Sequence, residues 1–303
     1  MPGFAHRLQP LPTLALYWIC VLIWGSTWIA ITYQLGIVEP VVSVAWRFVA
    51  AALLLFGICF VRNERLRYGR REHAYLALQG LLMYSAGYVC VYEAEARVVS
   101  GLVAVGYSAS PIANMLCARL LYGTPLSRRV AFGGVFGIAG ILLVFSPELA
   151  RLSASPTALV GIALTAIAVS VQAFASAIAV RNGERGIAVW PALAWGMTYG
   201  AIGCTAWVLF TGTPIAFDVR PGYILSWAWL TIFGSIIAFG SYLTLLGRIG
   251  TGRAGYIGVM VPVIALIISA FFENYRWTSA TWIGIGLAVA GNFVAMRGYG
   301  RKA

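Results

Sequence analysis

Ten runs of apolar residues divide the chain, at roughly 13–35, 41–61, 74–93, 97–119, 128–147, 157–180, 188–211, 222–246, 252–272 and 279–297. Each is long enough to cross a ~30 Å hydrocarbon core as a helix. The breaks between them are short, and charged or rich in Pro and Gly. The pattern predicts an all-α integral membrane protein of ten transmembrane helices. Polar positions are unevenly shared among the runs. Segment five has none in its centre (AFGGVFGIAGILLVF), and segment ten has only Asn292 in its interior. Gly133 and Gly137 form a GxxxG step that permits close helix contact. These two segments are expected at the periphery, facing lipid or a second copy of the chain, which allows a homodimer. Segments one, three, four, six, eight and nine carry Ser, Thr, Asn, Gln, Tyr and Trp at mid-depth. Such groups avoid lipid and turn toward the bundle interior or a water-filled cavity.

The pattern occurs twice. Shifting the chain by 151 positions lays Arg97 on Arg248, Gly101 on Gly252, Pro111 on Pro262, Gly133 on Gly284 and Gly140 on Gly291. Ser100 meets Thr251 and Ser127 meets Thr278, a hydroxyl in each place. A shift of half the length marks a duplicated architecture: residues 1–150 form one five-helix repeat and 151–303 the other. Each proline lies ten residues beyond its glycine, about 15 Å along a helix and so near the middle of the membrane. Pro111 removes a donor and crowds the carbonyl of Tyr107, and Pro262 does the same at Gly258, so both helices are expected to bend there.

Charge fixes an orientation. With the N-terminus in the cytoplasm, sixteen Lys and Arg fall on the inner side, among them the cluster Arg62, Arg65, Arg67, Arg70 and Arg71, and four fall outside. By the positive-inside rule both termini are cytoplasmic. Five helices per repeat is an odd number, so the second repeat is inverted relative to the first, an arrangement characteristic of secondary transporters. The formal charge of +12 is thereby read as loop charge at a membrane surface, and no nucleic-acid partner is expected. With 61% hydrophobic and 10% charged residues, against about 25% charged in soluble domains, the chain cannot cover a water-facing surface. The apolar run after the basic N-terminal start lacks a small-residue cleavage site and reads as a retained helix. Five cysteines, all within apolar segments and without a CxxC pair, read as small buried residues. No HExxH, GxSxG or P-loop occurs, and no acidic pair lies inside a span. An enzyme, a self-contained ATP-driven pump, a metal site and a cofactor are therefore not expected.

Several side chains could contact a solute. Tyr84, Tyr88 and Tyr92 recur at i, i+4 and i+8 on segment three and share one helix face, either as an aromatic cavity wall or as packing. Trp24 and Trp28 flank Ser26 and Thr27 on segment one. Asn114 and Gln172 are mid-membrane amides that either bridge helices or touch substrate, and Tyr107 sits at the proline bend. The candidate substrate-binding set is thus Tyr84, Tyr88, Trp24, Tyr107, Asn114 and Gln172, with Pro111 and Pro262 as hinges. Arg47 is the one ionisable residue well inside a span, a costly placement. It either meets a substrate carboxylate or pairs with Glu39, Glu93 or Glu95; a structural ion pair with Glu93 is the favoured expectation.

Trp24-Gly25-Ser26 on segment one, Arg47-Phe48 on segment two, a proline in segments four and nine, and Glu273 at the end of segment nine resemble the EamA-type members of the drug/metabolite transporter superfamily. The resemblance spans the whole chain. Within that superfamily the chain is most similar to the YddG-type exporters of aromatic and other neutral amino acids. The resemblance implies export of such amino acids and related metabolites across a bacterial cytoplasmic (inner) membrane, by alternating access about Pro111 and Pro262. Aromatic faces suit apolar side chains and attract an ammonium group. With no Asp, Glu or His mid-span, facilitated movement is expected over ion coupling. A proton-coupled exporter and a nucleotide-sugar or phosphate-ester carrier of the same architecture remain as alternatives. From another class, so do a membrane scaffold and an intramembrane enzyme.

Overall fold

In lipid, every backbone N–H and C=O of an apolar run must be satisfied within the run, and the helix is the local solution. The computed structural model describes residues 11–34, 36, 38–95, 97, 103, 106–144, 146, 156–272 and 278–296, and these are helical apart from short connections. The helices are α1 (Thr13–Thr32), α2 (Pro40–Val61), α3 (Arg70–Leu81), α4 (Gly87–Glu95), α5 (Ser110–Tyr122), α6 (Arg128–Val144), α7 (Pro156–Glu184), α8 (Val189–Thr211), α9 (Pro221–Trp229), α10 (Ala238–Ala254), α11 (Ile257–Phe272) and α12 (Ser279–Met296). A π-helical stretch, Leu82–Ala86, joins α3 to α4 in one rod, and a second, Leu230–Ile237, joins α9 to α10. The described residues thus form ten rods, one for each apolar run. Pro40 and Pro221 open their helices, where a missing N–H costs nothing.

The halves interleave. α1 packs on α10 and α11, and its repeat-mate α7 packs on α4 and α5. α2 lies along α8, and α6 lies along α12. The last pair corrects one expectation. The glycine faces of segments five and ten meet each other within one chain, with Gly133 against the Gly291 backbone and Gly140 against that of Gly284. A methyl group at Gly140 would overlap the Gly284 carbonyl oxygen, and one at Gly284 would overlap that of Gly140. Gly133 and Gly284 are repeat equivalents, as are Gly140 and Gly291, so the contact is one interaction made twice about a pseudo-two-fold axis. The opposite faces, with Phe132, Val135, Trp282 and Phe293, are exposed and suit lipid.

Pro111 differs from expectation as well. Pro111 does not bend a continuous helix. The backbone turns at Ser108 and Ala109, and Pro111 stands in the first turn of α5. Pro262 is inside α11, downstream of a turn at Gly255 and Tyr256. A further break falls at Gly250, whose φ of 78° and ψ of 165° interrupt α10, a conformation that glycine adopts without a Cβ clash. The broken ends meet: a Cβ on Gly255 would stand 2.8 Å from Pro111 Cα, and one on Gly258 would stand 2.7 Å from the Tyr107 carbonyl oxygen. Tyr107 and Gly258 are themselves repeat equivalents. The proline segments of the two repeats therefore cross at their breaks, in backbone contact.

Candidate functional site

Where the broken rods cross, they leave a cavity of about 200 Å³ bounded by α1, α2, α4, α5, α7, α10 and α11. Six aromatic side chains, Trp24, Tyr88, Tyr92, Tyr107, Phe239 and Tyr242, stand among its lining residues. Trp24 stands edge-on to Phe239 and Tyr242, with ring centroids 5.0 and 5.4 Å away. Tyr88 lines the cavity too, edge-on to Phe48 at 5.2 Å. Tyr88 and Phe239 are repeat equivalents, so each repeat supplies an aromatic from the same place, just beyond its π stretch. The π stretches correspond too, since Leu82–Ala86 shifted by 151 falls on 233–237. A π turn carries one extra residue and leaves carbonyls poorly paired, which is why such turns recur at functional sites. Here the Gly234 carbonyl accepts the Trp24 indole Nε1–H at 3.1 Å, and this bond fixes the tryptophan against the cavity.

The polar groups divide into those already engaged and those left open. Ser26 and Thr27 donate back to the carbonyls of Ile23 and Trp24. Ser110 donates to the Tyr107 carbonyl at 2.6 Å. Asn114 donates from Nδ2 to the Thr251 carbonyl at 3.0 Å, and Thr251 donates back to the Asn114 carbonyl at 3.4 Å. That amide joins the two repeats at the cavity floor. The Tyr242 hydroxyl pairs with Ser176 Oγ at 2.9 Å. The Tyr88 hydroxyl and the Gln172 carboxamide, both at the cavity, make no hydrogen bond among the described residues.

The structure brings Trp24, Tyr88, Tyr107, Asn114, Gln172, Pro262 and Arg47 together around this one space. Two candidates fall elsewhere. Tyr84 is 0% exposed, wedged between Phe48 and Phe239 at 5.4 and 4.9 Å and seated on Gly196 and Gly200 of α8. It is a packing residue behind the wall. Pro111 lies behind the lining, against Gly255. The expected Arg47–Glu93 ion pair is not formed. Glu93 pairs with Arg97 one turn along, at 2.6 Å; that local i, i+4 partner needs no span of the cavity. Arg47 instead donates from Nε to Ser235 Oγ at 2.7 Å. Glu95 and Glu273 carry side chains outside the described residues. Sequence reasoning missed Phe239, Tyr242 and Ser235. Laying the Tyr88 region on its repeat equivalent would have pointed to Phe239.

Known proteins resemble this chain in sequence and in fold. The EamA-like transporter family matches residues 12–146 and again residues 157–297. An uncharacterized inner membrane transporter of Escherichia coli (strain K12), YedA, is 28% identical over 93% of this chain and 89% of its own length. An uncharacterized transporter of Archaeoglobus fulgidus is 22% identical over 92% of this chain and 96% of its own. A protein of known crystal structure superposes with a TM-score of 0.78 over 94% of this chain and 96% of its own, at 17% identity; this likeness shows the fold.

Proposed function

Since this chain belongs to the EamA-like transporter family, we propose that it is a secondary transporter exporting neutral, especially aromatic, amino acids across a bacterial cytoplasmic membrane. Transport proceeds by alternating access about the crossing of the broken rods, with both termini in the cytoplasm and no coupled ion. The observation that carries this reading is the cavity itself: lined by aromatic side chains from both repeats, open-ended in hydrogen bonding at Tyr88 and Gln172 among the described residues, and placed where the two repeats touch. Rocking one repeat against the other would move this contact and expose the cavity to each side in turn. A space of about 200 Å³ suits a small solute and is below the roughly 300–1,000 Å³ of sites for drug-sized ligands. Among the described residues it also carries a single cation, Arg47, where a nucleotide sugar or phosphate ester calls for several. The similarity to an inner membrane transporter of Escherichia coli supports the location.

The test is uptake of labelled phenylalanine by purified protein in liposomes, first without ion gradients and then with an imposed pH step. Equilibration without a gradient, unchanged by the step, is expected. Accumulation above the external concentration that a protonophore abolishes would replace facilitated export by proton coupling. No flux of any neutral amino acid would refute the substrate assignment.

A further inference from the structure

Arg47 is 3% exposed and lines the central cavity, yet no carboxylate among the described residues answers its charge. Among the described residues its one hydrogen bond runs from Nε to Ser235 Oγ, and no carboxylate lies within ion-pair distance. The guanidinium carries five N–H donors, so those on its two terminal nitrogens are left over. A cation held this way inside a membrane is costly unless something in the cavity completes it.

The surroundings hold the group in place rather than neutralise it. The rings of Phe48 and Tyr88 lie 5.5 and 5.6 Å from the guanidinium carbon. The π stretch of the second repeat supplies both Ser235, which fixes the Nε edge, and Gly234, whose missing side chain makes room. A Cβ on Gly234 would stand 3.0 Å from Nη2 and 3.3 Å from a Thr27 methyl. Ser235 Oγ also reaches the Leu230 carbonyl, five residues back, at 3.2 Å, so its own orientation is set by the π turn. One edge of a planar fork is thus anchored, its neighbours are aromatic, and the other edge is left for a ligand. A fork of two parallel N–H donors matches a carboxylate. A doubly charged phosphate would retain an uncompensated charge beside a single cation.

We propose that Arg47, oriented by Ser235 and admitted by Gly234, binds the carboxylate of a singly charged aromatic or apolar carboxylic acid in the central cavity. The inference rests on reading that cavity as the solute site, and it goes further by assigning the end of the solute that carries the recognition. It makes the amide of an amino acid a poor ligand and a simple aromatic monocarboxylate a good one.

The experiment is calorimetric titration of the purified full-length protein in nanodiscs with phenylalanine, phenylalaninamide and 3-phenylpropionate. Wild type is expected to bind an acid at least about tenfold more tightly than the amide, the weight of one charge-assisted hydrogen bond. Arg47→Gln should bring that ratio to about one, and Arg47→Lys should keep part of it. A residue that served only the fold would weaken acid and amide alike. Should Arg47→Gln fail to fold, Ser235→Ala and Gly234→Ala are each expected to lower the same ratio. Equal binding of acid and amide by wild type, an undiminished ratio in the variants, or no binding of any probe would overturn the proposal. Binding of 3-phenylpropionate with the predicted Arg47 dependence, without phenylalanine binding or transport, would uphold it while removing the amino-acid assignment. Transport of phenylalanine with no preference over its amide would do the reverse.

Discussion

Truncating Tyr84 and Tyr88 one at a time separates packing from solute contact. The two are four residues apart, yet Tyr84 is sealed behind the wall and Tyr88 lines the cavity. Tyr84→Ala removes a ring packed on Phe48 and Phe239 and leaves a void over Gly196 and Gly200. Aromatic-to-alanine changes in packed interiors cost about 3–5 kcal/mol. Between helices in lipid the transfer share is small, so the lower end, about 3 kcal/mol, is expected. At about 2–4 °C per kcal/mol for a large domain, that lowers the melting temperature by about 6–12 °C. Tyr84→Phe deletes a buried hydroxyl that has no partner among the described residues, so it should match or exceed wild-type stability. Tyr88→Ala should melt close to wild type but raise the half-saturation for aromatic amino acids about two- to tenfold, the worth of one aromatic contact at roughly 0.5–1.5 kcal/mol. Thermal unfolding in detergent and uptake by proteoliposomes read the two effects separately. The reasoning fails if Tyr84→Ala melts like wild type, or if Tyr88→Ala loses stability without any change in half-saturation.

The same geometry sets three further outcomes. Pro262→Ala returns a hydrogen bond to the Gly258 carbonyl inside α11 and should slow transport without preventing insertion, whereas Pro111→Ala, in the first turn of α5, should have a smaller effect; equal transport rates in the two variants would remove Pro262 as a hinge. Gly284→Leu forces α12 away from the Gly140 carbonyl and should destabilise by about 1–3 kcal/mol or more, read as a lower melting temperature, while Gly286→Leu, at a position with open space around it, should be near neutral. In a cysteine-free background, an impermeant thiol reagent added outside cells should label a cysteine at 219 and miss one at 65, the reverse pattern refuting the orientation. Position 219 is the better outer probe because Val219 is 78% exposed. Its neighbour Asp218 is buried, with its carboxylate bonded to the Arg220 backbone N–H and guanidinium at 2.9 and 2.6 Å, an arrangement that holds it below the usual carboxylate range.

The sequence by itself determined the ten spans, the duplication and the polarity of each helix, because these depend on apolar length and on a shift that can be read along the chain. It placed Trp24, Tyr88, Tyr107, Asn114 and Gln172 among the candidates because a polar group at mid-depth must turn away from lipid. It could not decide which inward residue reaches open space and which meets another helix. The i, i+4 rule puts Tyr84 and Tyr88 on one face only while the helix keeps its 3.6-residue turn. The π stretch at Leu82–Ala86 adds a residue and swings the remainder of the rod by about 100°, so Tyr84 enters the gap over the α8 glycines while Tyr88 turns to the cavity. The same limit governed Arg47. An acid on a neighbouring segment looked like its partner, but Glu93 had a closer cation four residues along the chain, and Ser235 came from the other repeat, 188 residues away. The glycines of segments five and ten likewise announced a close contact in the sequence. Only the inverted arrangement of the two repeats decided that each would find the other, since antiparallel helices related by a two-fold axis present the same glycine face to one another.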